Sequence, residues 1–226
     1  MKKNALLAFV AAVAAGITAC SSMSGGPQWT VLFNGQTPTE LRGYKQPAFP
    51  ADRWIIEGDA LKTVPGQAVD LVTIQQYENF ELELEWKVAP GGNSGVMYRV
   101  AETDGPPWST GPEYQLLDDS RHPDGKNPLT SAGALYGHVA PSANKVLQPV
   151  GSWNASRVVF KDNHVEHWMN GAKVVEYTWG SPEIAALTAK SKFAAMPGFM
   201  KGKTGHVCIQ HHGEEAWFRN IRIRRL

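Results

Sequence analysis

The stretch Phe80–Val88 constrains the fold more than any other part of the chain. Phe80, Leu82, Leu84 and Trp86 alternate strictly with Glu81, Glu83 and Glu85. A period of two sorts side chains onto the two faces of a β-strand, one buried and one wet. Comparable short runs recur. Trp29–Phe33 ends at Asn34-Gly35, and Trp54–Glu57 and Ala60–Thr63 flank Gly58-Asp59. Arg157–Lys161 and Val165–Met169 flank Asp162-Asn163-His164, and Asn170-Gly171 leads into Lys173–Tyr177. Asn-Gly and Gly-Asp pairs are hairpin and turn signals. With Gly95–Val100, Tyr114–Leu117, His206–His211 and Trp217–Arg224, the chain reads as roughly ten to twelve short strands, the pattern of a sandwich or jelly roll. One helix is expected, with Ser181 as N-cap, Pro182 at the first helical position and Pro197-Gly198 as its stop.

Composition agrees. The 22 Gly and 15 Pro suit a protein of many turns, and 8 Trp provide rings for packing or for stacking on ligands. A balance of 22 Lys+Arg against 21 Asp+Glu gives a formal charge of +1, so no field points to nucleic acid as a partner. The N-terminus reads as a targeting segment, which is set aside before fold reasoning. Lys2 and Lys3 precede an apolar run, Ala5–Gly16, and then Ile17-Thr18-Ala19-Cys20, a match to the bacterial lipobox. Residues 1–19 are therefore expected as a lipoprotein signal peptide, 20–28 as a flexible tether with lipidated Cys20, and 29–226 as one domain. The expected place is the cell envelope, at the outer membrane or periplasm, with the membrane as partner through the lipid. Cys208 is then the only cysteine left, so no disulfide is expected.

Alternation also groups polar residues. Met97 and Arg99 share a face, as do Glu113 and Gln115, and as do His206, Cys208, Gln210 and His212. On the concave outer face of a sandwich, neighbouring strands bring Glu85, Arg99, Glu113, Gln115, Gln210 and His212 together. Such groups suit sugars, whose hydroxyls both donate and accept. Trp108, Trp168 and Tyr136 offer rings for a pyranose face. Glu81 and Glu83 read as a solvated strand face, and His167 as a packed core histidine. For Arg99 and Glu113 a buried salt bridge stands beside the functional reading. His211 and His212 point to opposite faces, but His212 with Glu113 would suit a divalent ion such as Zn, Mn or Co.

Six blocks carry a resemblance. They are Asn93–Arg99, Gly111–Asp118, Ser131–Tyr136, Val165–Gly171, Ala195–Phe199 and Trp217–Ile221. In order and content they resemble the 3-keto-disaccharide hydrolase domain family of bacterial secreted lipoproteins, from about Trp29 to Leu226. The resemblance implies an all-β, concanavalin-like two-sheet jelly-roll sandwich, here with one short helix. It also implies action on glycosides whose glucose ring carries a ketone at C3, formed by an upstream sugar 3-dehydrogenase. One departure stands out: where the family reads Gln-Asp-His-Gly, this chain has Gln210-His211-His212-Gly213, with His211 in the place of the acid.

A C3 ketone acidifies the C2 proton, so a base can form an enolate and the C1 aglycone can leave. Water then adds, or does not, giving a hydrolase or a lyase. On this reading His212 is base or metal ligand, Glu113 acid, base or metal ligand, and Arg99 or a metal the oxyanion stabiliser. Gln115, Asp118, Gln210, Glu85, Trp108 and Tyr136 hold the sugar. A non-catalytic carbohydrate-binding lipoprotein and a structural or adhesion lipoprotein are the alternatives.

Overall fold

The computed structural model describes residues 27–226; the leader expected at 1–19, Cys20 and most of the tether lie outside the described residues. Two antiparallel sheets face each other. The larger contains β1 (Thr30–Phe33), β3 (Trp54–Glu57), β4 (Ala60–Thr63), β6 (Phe80–Val88), β9 (Asn154–Lys161), β10 (His164–Met169), β11 (Ala172–Thr178) and β13 (Ala216–Arg225). Its order is β11-β10-β9-β6-β13-β4-β3, with β1 also paired to β13. The smaller contains β2 (Leu41–Gly43), β5 (Leu71–Thr73), β7 (Asn93–Val100), β8 (Glu113–Leu117) and β12 (His206–Ile209), in the order β2-β5-β12-β7-β8.

The strand period makes the core. Phe80, Leu82, Leu84 and Trp86 turn inward with Val158, Phe160, Phe218 and Ile223. From the other sheet Leu71, Val96, Tyr98, Tyr114, Leu116 and Ile209 meet them. Each such side chain contributes on the order of 1.5–3 kcal/mol on burial, which is why the two sheets stay clamped. Buried hydroxyls and ring nitrogens find partners. Trp86 Nε1 donates to Ser156 Oγ, which bonds Tyr114 Oη, and Tyr98 Oη lies 2.8 Å from both His167 Nε2 and Tyr177 Oη. His167 is thus the core histidine expected. Desolvation among Tyr98, Tyr114 and Tyr177 pushes its pKa down to about 3, so it stays neutral.

The outer face of the larger sheet is an ion-pair ladder. Across the β6–β13 register, Glu85 opposes Arg219, Glu83 opposes Arg222 and Glu81 opposes Arg224, and each pair closes a salt bridge. The single α-helix among the described residues, α1 (Pro182–Ala189), begins as expected, with Ser181 Oγ accepting the Ile184 amide. It stops well before Pro197. Ser191 takes the Phe193 amide and starts a separate 3-10 turn, Lys192–Ala195, whose Phe193 ring stacks 4.2 Å from Phe199.

Candidate active site

Register assembles a polar face on the outside of the smaller sheet. Gly95 of β7 pairs with Gln115 of β8, and the Gln210 amide donates to the Gly95 carbonyl. The β5–β12 register, with Leu71 opposite Ile209, continues to Asp70 beside Gln210. One transverse row therefore reads Gln115, Gly95, Gln210, Asp70. The next row reads Glu113, Met97, Cys208, Val72. Gly95 matters for what it lacks: a Cβ there would overlap the Glu113 carboxyl, so that carboxyl lies over Gly95, in the middle of the first row.

This face holds most of the unsatisfied polar groups among the described residues. Asn93 Oδ1, both amide atoms of Gln115 and Oε1 of Gln210 are buried without a partner. Gln115 is 0% exposed and Gln210 9%. Left without any partner, a buried polar atom costs about 1–3 kcal/mol, so four such atoms in one place favour a partner that can hydrogen-bond. No protein group pairs these atoms, which leaves them to water or to a hydrogen-bonding ligand such as a sugar.

The acids are perturbed in keeping with this. Glu113 is 8% exposed, and burial, opposed by the charge of Lys192, pushes its pKa up to about 8. Asp70 is raised to about 6 by burial, against a 2.8 Å bond from the His211 amide to Oδ1. Two carboxyl groups with separated proton affinities on one face are an acid and base pair in the making.

Aromatic rings border the face. Tyr136 Oη donates to Asp124 Oδ2, and its pKa is raised to about 12 by burial and by the charges of Asp124 and Glu113. Trp108 packs against the apolar patch Val72, Met97, Val100 and Cys208. The Lys192 ammonium lies 4.4 Å from the Tyr136 ring centre and 5.4 Å from that of Trp108. His122 approaches from the loop after β8, with Nε2 3.5 Å from Asn93 Nδ2.

Glu113, Gln115 and Gln210 thus come together as read from the sequence, with Tyr136 and Trp108 beside them. Three other residues do not. Glu85 belongs to the opposite sheet, where Arg219 Nε holds it at 2.6 Å. Arg99 sits in a bulge: its φ is +51°, and the β7–β12 register shifts between His206 and Cys208. The extra residue turns its guanidinium onto the Phe160 ring at 3.7 Å, with Nη2 donating to the Glu78 carbonyl, away from Glu113. Asp118 is spent on its own turn, accepting from Gly91 N and from the Ser120 amide and hydroxyl.

His212 is displaced from its expected partner. It lies at the edge of the face, with Nδ1 2.8 Å from Glu214 Oε2, and its ring is 6.1 Å from that of His122. Ligand atoms of His122, His212 and Glu214 lie within 4.8 Å of one another, and Glu113 is not among them. His211 is structural: Nε2 bonds the Val64 carbonyl and the ring packs edge-on to Trp54. Asp70, His122 and Lys192 escaped the sequence reading, because each lies in or beside a loop where no periodicity marks its face. A wide groove of about 730 Å³ does cross the other sheet past Trp168. There Glu83 pairs with Arg222, Glu85 with Arg219, and Arg157 stacks on Trp168, so the charged groups of that groove are already engaged.

The architecture is that of the concanavalin-like jelly rolls. A Bacillus licheniformis beta-glucanase shares the fold alone, at 11% identity and a TM-score of 0.51 over 90% of this chain and 99% of that one. The chain belongs to the 3-keto-alpha-glucoside-1,2-lyase-like domain family, whose model matches residues 28–224. A Bacteroides thetaiotaomicron protein named 3-keto-disaccharide hydrolase is 31% identical, covering 87% of this chain and 78% of that one. A Parabacteroides distasonis crystal structure, described as a candidate glycosyl hydrolase, is 33% identical with a TM-score of 0.81, over 88% and 94% of the two chains.

Proposed function

We propose that this protein cleaves 3-keto-glucosides, including 3-keto-disaccharides, at C1 by elimination and hydration. The observation that carries the reading is the cluster of orphaned amides of Asn93, Gln115 and Gln210 around the high-pKa carboxyl of Glu113. Family membership and the name of the Bacteroides relative support this substrate class.

The amides receive the sugar hydroxyls, which pairs buried atoms that no protein group pairs. Asp70, with the lower proton affinity, is ionised at neutral pH and takes the C2 proton. The C2–H electron pair becomes C2=C3, and the carbonyl pair moves onto the C3 oxygen. The charge then returns, C1=C2 forms and the C1–O bond breaks. Glu113, protonated up to about 8, gives its proton to the departing oxygen. Water adding at C1 completes hydrolysis; release before that step gives a lyase. This differs from two-carboxylate glycosidases, in which an oxocarbenium ion develops.

A divalent ion fits the donors His122, His212 and Glu214 at the edge of the face, two imidazoles and a carboxylate. Bound there, it would supply Lewis acidity towards a sugar oxygen. The lipid on Cys20 would hold the domain at the envelope, and a sugar 3-dehydrogenase would supply the ketone.

The test is turnover of a 3-keto-glucoside beside its unoxidised parent, before and after chelation and metal resupply. Cleavage of the keto sugar alone supports the reading, and loss on chelation supports the ion. Binding of the keto sugar without cleavage overturns it in favour of a carbohydrate-binding lipoprotein.

A further inference from the structure

The elimination proposed above develops negative charge on the C3 oxygen, and a positive group must face it. Arg99 is held in the core between Phe160 and Trp179 and does not reach this face. Resting on that reading of the reaction, we propose that Lys192 is a catalytic residue whose ammonium contacts the enolate oxygen formed at C3.

Three observations converge on it. First, Lys192 is presented on a fixed turn. Ser191 Oγ accepts the Phe193 amide at 3.1 Å, and the Phe193 ring is held by Phe199 and by His138, 5.4 Å away. Second, the ammonium is surrounded by the faces of Tyr136, Trp108 and Phe193 at 4.4, 5.4 and 5.2 Å. Aromatic faces attract a cation without neutralising it, so its charge stays available. Third, no carboxylate lies within 4.0 Å of Nζ among the described residues. Two other cations near the smaller sheet are paired: Arg42 with Glu102 at 2.7 Å and Lys145 with Asp119 at 2.6 Å. The charge of Lys192 reaches Glu113, so it stands towards the reacting face.

The step balances without any further reactant. The C2–H bond breaks, its proton passes to a carboxylate, and its electron pair forms C2=C3. The carbonyl pair settles on the C3 oxygen opposite Lys192. When the C1–O bond breaks, that charge leaves with the aglycone oxygen, which takes a proton.

The experiment compares wild type with Lys192→Gln and Lys192→Arg on a 3-keto-glucoside. A second readout follows exchange of the C2 proton with deuterium oxide in 3-keto-1,5-anhydroglucitol, which has no leaving group at C1. Lys192 is exposed on its turn, and melting temperature checks that both variants fold. The expected result is a fall of about 100-fold in kcat and in exchange for Lys192→Gln, with KM changed far less, as for loss of an oxyanion donor. Lys192→Arg restores much of both. Wild-type kcat and exchange in Lys192→Gln, or a rise in KM alone, overturn the assignment while leaving the elimination reading intact. A wild-type protein that neither exchanges nor cleaves the keto sugar overturns the elimination reading, and this assignment with it.

Discussion

Replacing Glu113 by Gln should make the protein more stable as pH rises while removing its activity. The ordinary pKa of the carboxyl is 4.5, and in the fold burial raises it to about 8. Below the ordinary value both folded and unfolded chains hold the proton, and there is no penalty. Between the two values the folded chain keeps a proton that the unfolded chain releases. Stability therefore falls as pH rises, by roughly 1.4 kcal/mol per pH unit, and levels off once Glu113 ionises in the fold. The whole penalty approaches roughly 4–5 kcal/mol. Gln has the same shape and does not titrate. Asp70, also raised, causes its own decline at lower pH in both proteins, so the difference reads Glu113 together with its coupling to Asp70. Urea unfolding of both at about pH 5, 7 and 9 should show the Gln variant gaining on wild type by several kcal/mol across that range. A difference that does not change with pH would refute the claim that Glu113 is a buried, proton-holding carboxyl.

Further outcomes follow from the same geometry. The kcat/KM profile should be bell-shaped, with limbs near 6 from Asp70 and near 8 from Glu113, and Asp70→Asn should abolish turnover; a flat profile through that window counts against the pair. Gln115→Leu removes two orphaned amide atoms and should stabilise the fold by about 1–3 kcal/mol while weakening keto-sugar binding, read by melting temperature and calorimetry. Arg99→Met should lower stability by about 1–2 kcal/mol through the lost stack on Phe160, yet keep kcat; the reverse pattern would return Arg99 to the active site.

Much of the fold could be read from periodicity. Phe80–Val88 gave its apolar face correctly because Phe80, Leu82, Leu84 and Trp86 alternate inward in β6, whereas Glu81, read as solvated, is buried between Arg157 and Arg224; Ser181-Pro182 marked the start of α1. β2 and β5 were not found, since three residues are too few to show a period, and Asp70 went unseen beside β5. Glu113, Gln115 and Gln210 were grouped correctly because β8 and the β12 end keep their alternation. Arg99 was misplaced because one bulged residue reverses every face that follows it, and nothing in Met97-Tyr98-Arg99 signals a positive φ. Glu85 alternates as read, but which sheet a strand joins is decided by long-range pairing with β13. Lys192 is placed by a cap and an aromatic stack far along the chain from Tyr136, beyond the reach of local patterns.

The most direct measurement is turnover of a 3-keto-glucoside in deuterium oxide, stopped early and read by mass and proton resonance at C2 of the released sugar. Elimination and hydration require the C2 hydrogen to leave and be replaced, so the product should carry deuterium there from the first turnovers, whereas a substrate without the ketone should not be cleaved. A product that retains its C2 hydrogen would show direct displacement at C1, and would contradict the roles given to Asp70 and Glu113.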